Sequence, residues 1–308
     1  MRRVLLWASV MAATPLAAQE VQPDWLVVDG FDTPLATAFR ISDIRLRDPH
    51  VFAPVPIFGC RDFTDTDIPL APGSAFNAQI NAPLNADGNA DGFLDSSTLL
   101  LFRPLDLSGA VRRIDLAAAQ CTAPVAGTSC VAGADPPGQN TYATFNAGLC
   151  LGALTGTTGG YSPAVPSAAA PCFTGPQTSG GFSGGGVTLP LQAVRTAATV
   201  VGSAPVTELR PGLLRGFLTE AAADATLLPA ELPIIGGRPL SSLFRGGTGN
   251  CSTGPSDKDT LDGVPGWWFY FEIRAVPVPY QELPPALRMP AVGPTRLWWS
   301  PFATSTMR

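Results

Sequence analysis

The sequence has little of the positive charge that nucleic-acid-binding proteins carry. Only one of its 19 basic residues is a lysine, Lys258, and the formal net charge is -5. A chain with this balance presents no polybasic patch to a polyanion or to an acidic membrane surface. We therefore expect no nucleic-acid partner.

Long apolar runs are also scarce, and the one that exists is at the N-terminus. Arg2 and Arg3 are followed by the run Val4 to Ala13 and then by Ala18 at a site typical of cleavage. This order predicts a signal peptide over residues 1–18. The run is too short to cross a bilayer and no second one follows, so we expect no membrane span. The expected destination is the periplasm or the exterior of a bacterial cell.

The cysteines lack the C-x-x-C spacing that zinc sites use. There are six, an even number, which in an exported chain predicts three disulfides. Closing a short loop costs less entropy than closing a long one, so we expect the bonds Cys121–Cys130, Cys150–Cys172 and, for the two that remain, Cys60–Cys251. The last bond would bring Asp62 close to Asp257, where two carboxylates suit a second cation site.

Helix signals are rare, and strand patterns dominate. Thr219 stands at an N-cap position before Glu220 to Asp224, which predicts about two helical turns. The apolar positions that follow Phe39 change parity at Ser42, which indicates a bulge in a long strand. Trp267 to Val276 alternates most clearly, and we expect it in the middle of a sheet. The predicted fold class is all-β: an antiparallel β-sandwich or jelly-roll-like fold, loop-rich, with one or two short helices.

Composition divides the exported chain into unequal parts. We expect one β-rich domain over residues 20–280 and a proline-rich arm over 281–308 that lies extended on the surface. Inside the domain, residues 121–186 are rich in Gly, Pro, Ser and Thr and poor in large apolar side chains. This segment is predicted as a loop-rich insertion that two local disulfides hold in place.

The stretch Asn85 to Asp95 has the most specific chemistry in the chain. The alternation from Phe76 to Asn81 predicts a half-buried strand before it, and Leu99 to Phe102 predicts a strand that is covered on both faces. Between them, oxygen ligands recur at every second position, as calcium loops require. Taking Asp87 as position one, the candidate ligands at positions one, three, five, seven and nine are Asp87, Asn89, Asp91, Phe93 (through its carbonyl) and Asp95.

These residues, with Gly92 at position six, resemble the calcium loops of EF-hand, dockerin and thrombospondin type 3 repeats. The resemblance implies a bound calcium ion but covers only about a dozen residues. It also departs from the EF-hand pattern, because position twelve is Thr98 rather than an acid. Replacements for that acid are Asn85 or one of three nearby carboxylates, namely Asp62, Asp65 and Asp67. The same Asn, Asp and Gly residues also suit a solvated turn without an ion.

Two enzyme patterns have weaker support. Gly181 to Gly185 matches the G-x-S-x-G motif around Ser183, but a glycine-rich stretch produces this match cheaply, and the only histidine, His50, precedes the serine. Glu272 is the best candidate for a two-carboxylate glycosidase. Its neighbours Trp268 and Tyr270 offer a platform for sugars, although core packing of these rings and an ion pair for Glu272 are the favoured interpretations.

The sequence thus predicts an exported, non-catalytic protein that calcium stabilises, with a polysaccharide or cell-surface partner. The alternative is a secreted carbohydrate-active hydrolase that uses paired carboxylates. No motif indicates the oligomeric state.

Overall fold

The computed structural model describes residues 36–281 except positions 70, 89, 91–92, 96–97, 110, 122–129, 133–139, 155–160, 185–186, 204, 231 and 233. Within the strands, the side chains of residues 116–121, 131–132 and 182–187 are likewise outside the description. The predicted signal peptide and the proline-rich arm beyond residue 281 lie outside the described residues.

Within the described part of the chain we number sixteen strands, two α-helices and one 3-10 helix. The helices are α1 Phe76–Leu84, α2 Glu220–Ala225 and the 3-10 helix Leu240–Leu243. The strands are β1 Thr37–Asp48, β2 Phe52–Val55, β3 Gly59–Asp62, β4 Thr98–Arg103, β5 Arg112–Cys121, β6 Cys130–Ala132, β7 Thr141–Phe145, β8 Leu149–Leu151, β9 Ala168–Ala169, β10 Cys172–Thr174, β11 Thr178–Gly184, β12 Val187–Val201, β13 Glu208–Thr219, β14 Asp259–Leu261, β15 Val264–Pro277 and β16 Tyr280–Gln281.

Eight of these strands form a sheet that closes on itself. Their order is β5-β4-β1-β15-β13-β12-β10-β7, and β7 pairs again with β5 to complete the ring. Every pairing in the ring is antiparallel. Strand β11 forms a hairpin with β12 outside the ring, and β14 does so with β15. Each of the eight strands therefore has a partner on both sides.

One cluster of buried side chains receives residues from all eight strands, from α1 and from the 3-10 helix. Phe102 of β4 connects several of them. Its ring is edge-on to Phe39 of β1, Tyr142 of β7 and Phe173 of β10, at centroid distances of 5.7, 5.0 and 4.9 Å. Such aromatic pairs contribute about 0.5–1.5 kcal/mol beyond the area they bury. Through these contacts Phe102 joins β4 and β1 to β7 and β10 inside the closed sheet.

The predicted fold class is confirmed, because the chain is antiparallel, loop-rich and all-β with short helices. The bulge in β1 is confirmed by a register shift against β15 between Ile41 and Asp43. Strand β15 lies between β1 and β13, so the predicted central strand is also confirmed. The sequence left a sandwich and a jelly-roll-like form open, and the main sheet is a single sheet that the pairing of β5 with β7 closes.

The glycine- and proline-rich segment from residue 121 to 186 does more than connect strands. It supplies β7 and β10, the two strands through which the sheet closes. Their inward side chains Tyr142 and Phe173 are 1 % and 0 % exposed. A strand of three to five residues needs only one large side chain to join the core, so the average composition of the segment conceals this role.

The segment Phe76–Leu84 is helix α1, and the strand predicted from Phe76 to Asn81 is wrong. Phe76, Ile80 and Leu84 are buried at the i, i+4 and i+8 spacing of an amphipathic helix. Phe76 and Ile80 alone also fit a two-residue period, so a window that ends at Asn81 does not separate the two structures. Leu84 fits both periods as well, and what breaks the two-residue alternation is that Asn77 is buried while Ala78 is exposed.

Asparagines on α1 complete the edge of β1 where β4 ends. Strand β4 pairs with β1 only over Thr37 to Arg40. Beyond that point, the Asn81 amide accepts from the Leu46 N–H at 2.6 Å and donates to the Leu46 carbonyl at 3.3 Å. Asn85 binds the N–H and carbonyl of Ile44 in the same way. Side-chain amides one helical turn apart thus satisfy the backbone groups that a neighbouring strand would otherwise pair.

Candidate functional site

The connector Asn85 to Asp95 runs from α1 to β4, so the prediction that a strand precedes it is wrong. Of the five predicted calcium ligands, the structure describes Asp87, Phe93 and Asp95. Asn89 and Asp91 lie outside the described residues. The connector is therefore known at both ends and not in its middle.

Hydrogen bonds hold the two ends of the connector together. The Gly88 N–H donates to both carboxylate oxygens of Asp95, at 3.0 and 3.1 Å. The Asp95 N–H in turn donates to the Ala86 carbonyl at 2.7 Å. A carboxylate has about four acceptor positions, so this clasp leaves Asp95 able to accept a further bond.

Arg40 of β1 fixes the C-terminal part of the connector. Its side chain is buried, one Nη donates to the Leu94 carbonyl at 2.9 Å, and its guanidinium lies 4.4 Å from the centre of the Phe93 ring. A guanidinium on an aromatic face is attracted by the ring quadrupole. The connector is consequently attached to β1 at two places, through Asn85 and through Arg40.

No group of three or more His, Cys, Asp or Glu side chains that could hold a metal occurs among the described residues. Two of the five predicted ligands are not among them, so calcium in the connector stays a prediction. The side chains considered for position twelve have other partners. Asn85 binds β1, Asp65 accepts from the Asn77 amide at 3.0 Å, and Asp67 accepts from backbone N–H groups ahead of α1.

Two of the three predicted disulfides are confirmed, namely Cys60–Cys251 and Cys150–Cys172. For the third, the backbone register sets Cys121 of β5 opposite Cys130 of β6. The side chain of Cys121 lies outside the described residues, so this pairing stays a prediction. The two confirmed bonds indicate an oxidising environment, extracellular or periplasmic.

The Cys60–Cys251 bond joins the segments that carry Asp62 and Asp257, and a group of five polar residues is found there. We call it the His50 cluster: His50, Asp48, Asp62, Tyr161 and Asp257. His50 is 5 % exposed, and its Nδ1 lies 2.7 Å from the Asp62 carboxylate. Its ring stacks on Tyr161 at 3.8 Å between centroids, and the Tyr161 hydroxyl donates to Asp257.

Asp48 is the most perturbed acid in the cluster. Burial raises its pKa to about 8, and the negative charges of Asp257, Asp62 and Asp65 add to the rise. A carboxyl group in apolar surroundings near other carboxylates is more stable neutral than ionised. Asp48 therefore holds a proton in the folded protein at neutral pH.

The pKa values of the other two carboxyls, Asp62 and Asp257, are shifted in opposite directions. Burial alone would raise the pKa of Asp62, but hydrogen bonds from His50 and Thr64 outweigh it and lower the pKa below its ordinary value. Burial raises the pKa of Asp257, against a hydrogen bond from Tyr161, and the charge of Asp62 adds to the rise. The predicted approach of Asp62 to Asp257 is thus confirmed as an electrostatic interaction.

Two buried atoms of the cluster, Oδ1 of Asp48 and Nε2 of His50, have no hydrogen-bond partner among the described residues. Leaving a buried polar group unsatisfied typically costs about 1–3 kcal/mol. No sequence pattern assigned a role to His50 or Tyr161, and only the predicted Cys60–Cys251 bond indicated that Asp62 and Asp257 are close.

The structure gives Glu272 and its aromatic neighbours structural roles. Glu272 accepts from Arg47 of the adjacent strand β1, at 2.8 Å from the arginine Nε. Trp268 and Tyr270 are 8 % and 0 % exposed and pack in a cluster with Leu151. The favoured interpretations, an ion pair and core packing, are confirmed, and these two rings offer no exposed platform to a sugar.

The serine motif has the wrong local structure for a nucleophile elbow. Ser183 lies within β11, which pairs antiparallel with β12, and Ser183 is opposite Thr188. An elbow requires a strand, a sharp turn at the serine and then a helix. Here the strand continues to Gly184 and the next element is β12.

No protein-family model, curated protein or solved structure matches the chain. In the segments that the structure describes, no helix is long and apolar enough to cross a membrane.

Proposed function

We propose that the chain is an exported, non-catalytic protein in which the connector Asn85 to Asp95 binds calcium as a structural ion. The observation that carries the proposal is the spacing of oxygen ligands from Asp87 to Asp95 in a connector whose ends are already fixed. Asp95 is clasped to Gly88, and Arg40 holds the Leu94 carbonyl. Fixed ends lower the entropy that an ion must overcome when it orders the ligands between them.

The expected role is stabilisation rather than signalling. An EF-hand sensor opens by moving two helices apart. Here a helix lies only on the N-terminal side, and β4 on the other side is paired with both β1 and β5. A strand with partners on both sides does not move without breaking the closed sheet. An ion in the connector would fasten α1 to β4.

Export is supported by two independent features. The N-terminal residues have the charge, apolar run and small residues of a signal peptide. Cys60–Cys251 and Cys150–Cys172 are bonds that persist in an oxidising compartment. The expected location is the periplasm or the extracellular space.

Differential scanning calorimetry tests the calcium proposal. With calcium at about 100 times its Kd, linkage predicts a gain of about 2.7 kcal/mol over the chelated protein. For a domain of this size that corresponds to a Tm increase on the order of 5–10 °C. Asp87→Asn and Asp91→Asn should each remove most of the increase, because a calcium ligand loses its charge.

The matched control is Asp262→Asn, which makes the same chemical change in the turn between β14 and β15. It should keep the full calcium response. Melting curves of the unmodified protein that coincide in calcium and in chelator would disprove the site.

A further inference from the structure

Arg195 of β12 and Arg215 of β13 are direct neighbours across the sheet. They lie on the outer face, which they share with Ala197, Leu213 and Phe217. Those three residues belong to a buried cluster separate from the one that all eight strands share. Like charges directly opposite each other on a sheet destabilise it. The chain nevertheless places two permanent positive charges at this position.

Neither arginine forms an ion pair with any residue that the structure describes. Arg195 donates to the Gln177 side chain at 3.4 Å, and Arg215 donates to the Gly152 carbonyl at 3.2 Å. The Nε atoms of both arginines are buried and have no hydrogen-bond partner. Elsewhere the chain does supply carboxylates, as for Arg103, whose Nε lies 2.8 Å from Asp115. Arg215 also has a side-chain hydrogen bond with Tyr270. The pair thus has positive charge that no described carboxylate compensates.

The arginines are held in place before any ligand arrives. The Arg215 guanidinium lies 4.9 Å from the centre of the Trp268 ring. The Trp268 indole N–H in turn donates to Asp259 at 3.0 Å. A guanidinium fixed by its neighbours loses little conformational entropy when it binds a ligand.

A cleft of about 510 Å³ adjoins the pair through Gln177, and neither arginine belongs to its lining. Its lining includes Gln177, the residue that accepts from Arg195, together with Gln192 and Asp262. Amide and carboxylate side chains of this kind hydrogen-bond to hydroxyl groups. The cleft therefore suits a ligand that carries many hydroxyls beside one anionic group.

We propose that Arg195 and Arg215 bind the anionic group of an acidic saccharide, a carboxylate or sulfate, while its hydroxyls lie in the adjacent cleft. Planar guanidinium groups match the two oxygens of such an anion with two parallel hydrogen bonds. The bound charge would also relieve the repulsion between the arginines. This site goes beyond the proposed structural role and does not depend on calcium.

Isothermal titration of the full chain with glucuronate tests the site, with glucose as the neutral control and sulfate as the anion without a sugar, all at one ionic strength. We expect saturable binding of glucuronate, weaker binding of sulfate and none of glucose. Arg195→Gln and Arg215→Gln should weaken glucuronate binding at least tenfold. Arg195→Lys keeps the charge but not the planar group, and should weaken it by a smaller factor.

Arg238→Gln is the matched control, because Arg238 also donates to a backbone carbonyl, that of Gly249, and lies away from the pair in sequence. It should bind glucuronate as the unmodified protein does. Absence of glucuronate binding, or equal losses in Arg238→Gln and Arg195→Gln, would overturn the proposal. Sulfate that binds as tightly as glucuronate would overturn the assignment to a saccharide. Circular dichroism of each variant establishes that it is folded.

Discussion

The His50 cluster and the Arg195–Arg215 pair are two places where the fold brings like charges together. In the first, burial and the charges of Asp257 and Asp62 raise the pKa of Asp48, which takes up a proton, and the charge of Asp62 also raises the pKa of Asp257. In the second, two guanidiniums face each other and neither finds a carboxylate among the described residues. The same electrostatic problem is thus treated differently at the two sites.

The difference follows from acid–base chemistry. A carboxyl group can become neutral within the ordinary pH range. Protonation therefore removes the repulsion within an acidic cluster, and the cluster can be buried. A guanidinium stays charged in a protein throughout the ordinary pH range. Like-charged arginines are therefore compensated only by an anion, and the pair lies beside an open cleft rather than in the interior.

The largest expected effect comes from removing the Cys60–Cys251 bond, which supports the His50 cluster and not the arginine pair. The double variant Cys60→Ser, Cys251→Ser opens a loop of sequence separation 191. Loop-closure entropy predicts a loss of about 5 kcal/mol in the free energy of unfolding. Urea denaturation measures the loss, and the pH response of the His50 cluster should weaken with it.

The matched control removes the other confirmed bond, Cys150–Cys172, whose sequence separation is 22. The same relation predicts a loss of about 3 kcal/mol for it. An equal or larger loss in the control would show that the long-range bond does not have the expected effect.

Asp48→Asn should change how stability depends on pH. The folded-state pKa of about 8 is above the ordinary 3.8, so the contribution of Asp48 is fully present below pH 4 and is lost as the pH rises through 8. A shift of one pKa unit changes the free energy of unfolding by about 1.4 kcal/mol. Half of the shift from 3.8 to about 8 therefore corresponds to about 3 kcal/mol. The variant should match the unmodified protein near pH 4 and exceed it by about this amount at pH 8.

Chemical denaturation at several pH values measures this difference. Asp262→Asn serves as the control, because the residue lies in the exposed turn between β14 and β15 and is not among the charges that raise the pKa of Asp48. A stability difference between Asp48→Asn and the unmodified protein that does not vary with pH would contradict a protonated Asp48.

The smallest expected effect concerns the arginine pair without a ligand. Arg195→Gln in chloride buffer should raise the free energy of unfolding by about 0.2–1 kcal/mol, because one of two opposed charges is removed. Urea denaturation beside Arg238→Gln measures the effect. A decrease of more than about 1 kcal/mol that the control does not show would mean that the pair stabilises the sheet, and the contrast with the His50 cluster would fail.

The sequence predicted those features that depend on residues near one another in the chain. The parity change at Ser42 indicated the bulge in β1, and Thr219 indicated the cap of α2, whose Ala222 N–H donates to the Thr219 hydroxyl at 3.2 Å. The alternation from Trp267 indicated the central strand. Helix α1 was missed because its apolar residues also fit a two-residue period, and only the structure shows that Asn77 is buried and Ala78 exposed.

The sequence by itself determined the fold class, two disulfides and the ligand spacing of the connector. The fold class and the ligand spacing follow from local periodicity, and the disulfides follow from the small number of cysteines. Only the tertiary structure decided that β7 and β10 close the sheet, that His50 meets Tyr161, and that Arg195 faces Arg215. These contacts join positions far apart in the chain. The closure of the sheet and the pairing of Arg195 with Arg215 depend on strand register, and a shift of one residue would turn each of these strand side chains to the other face.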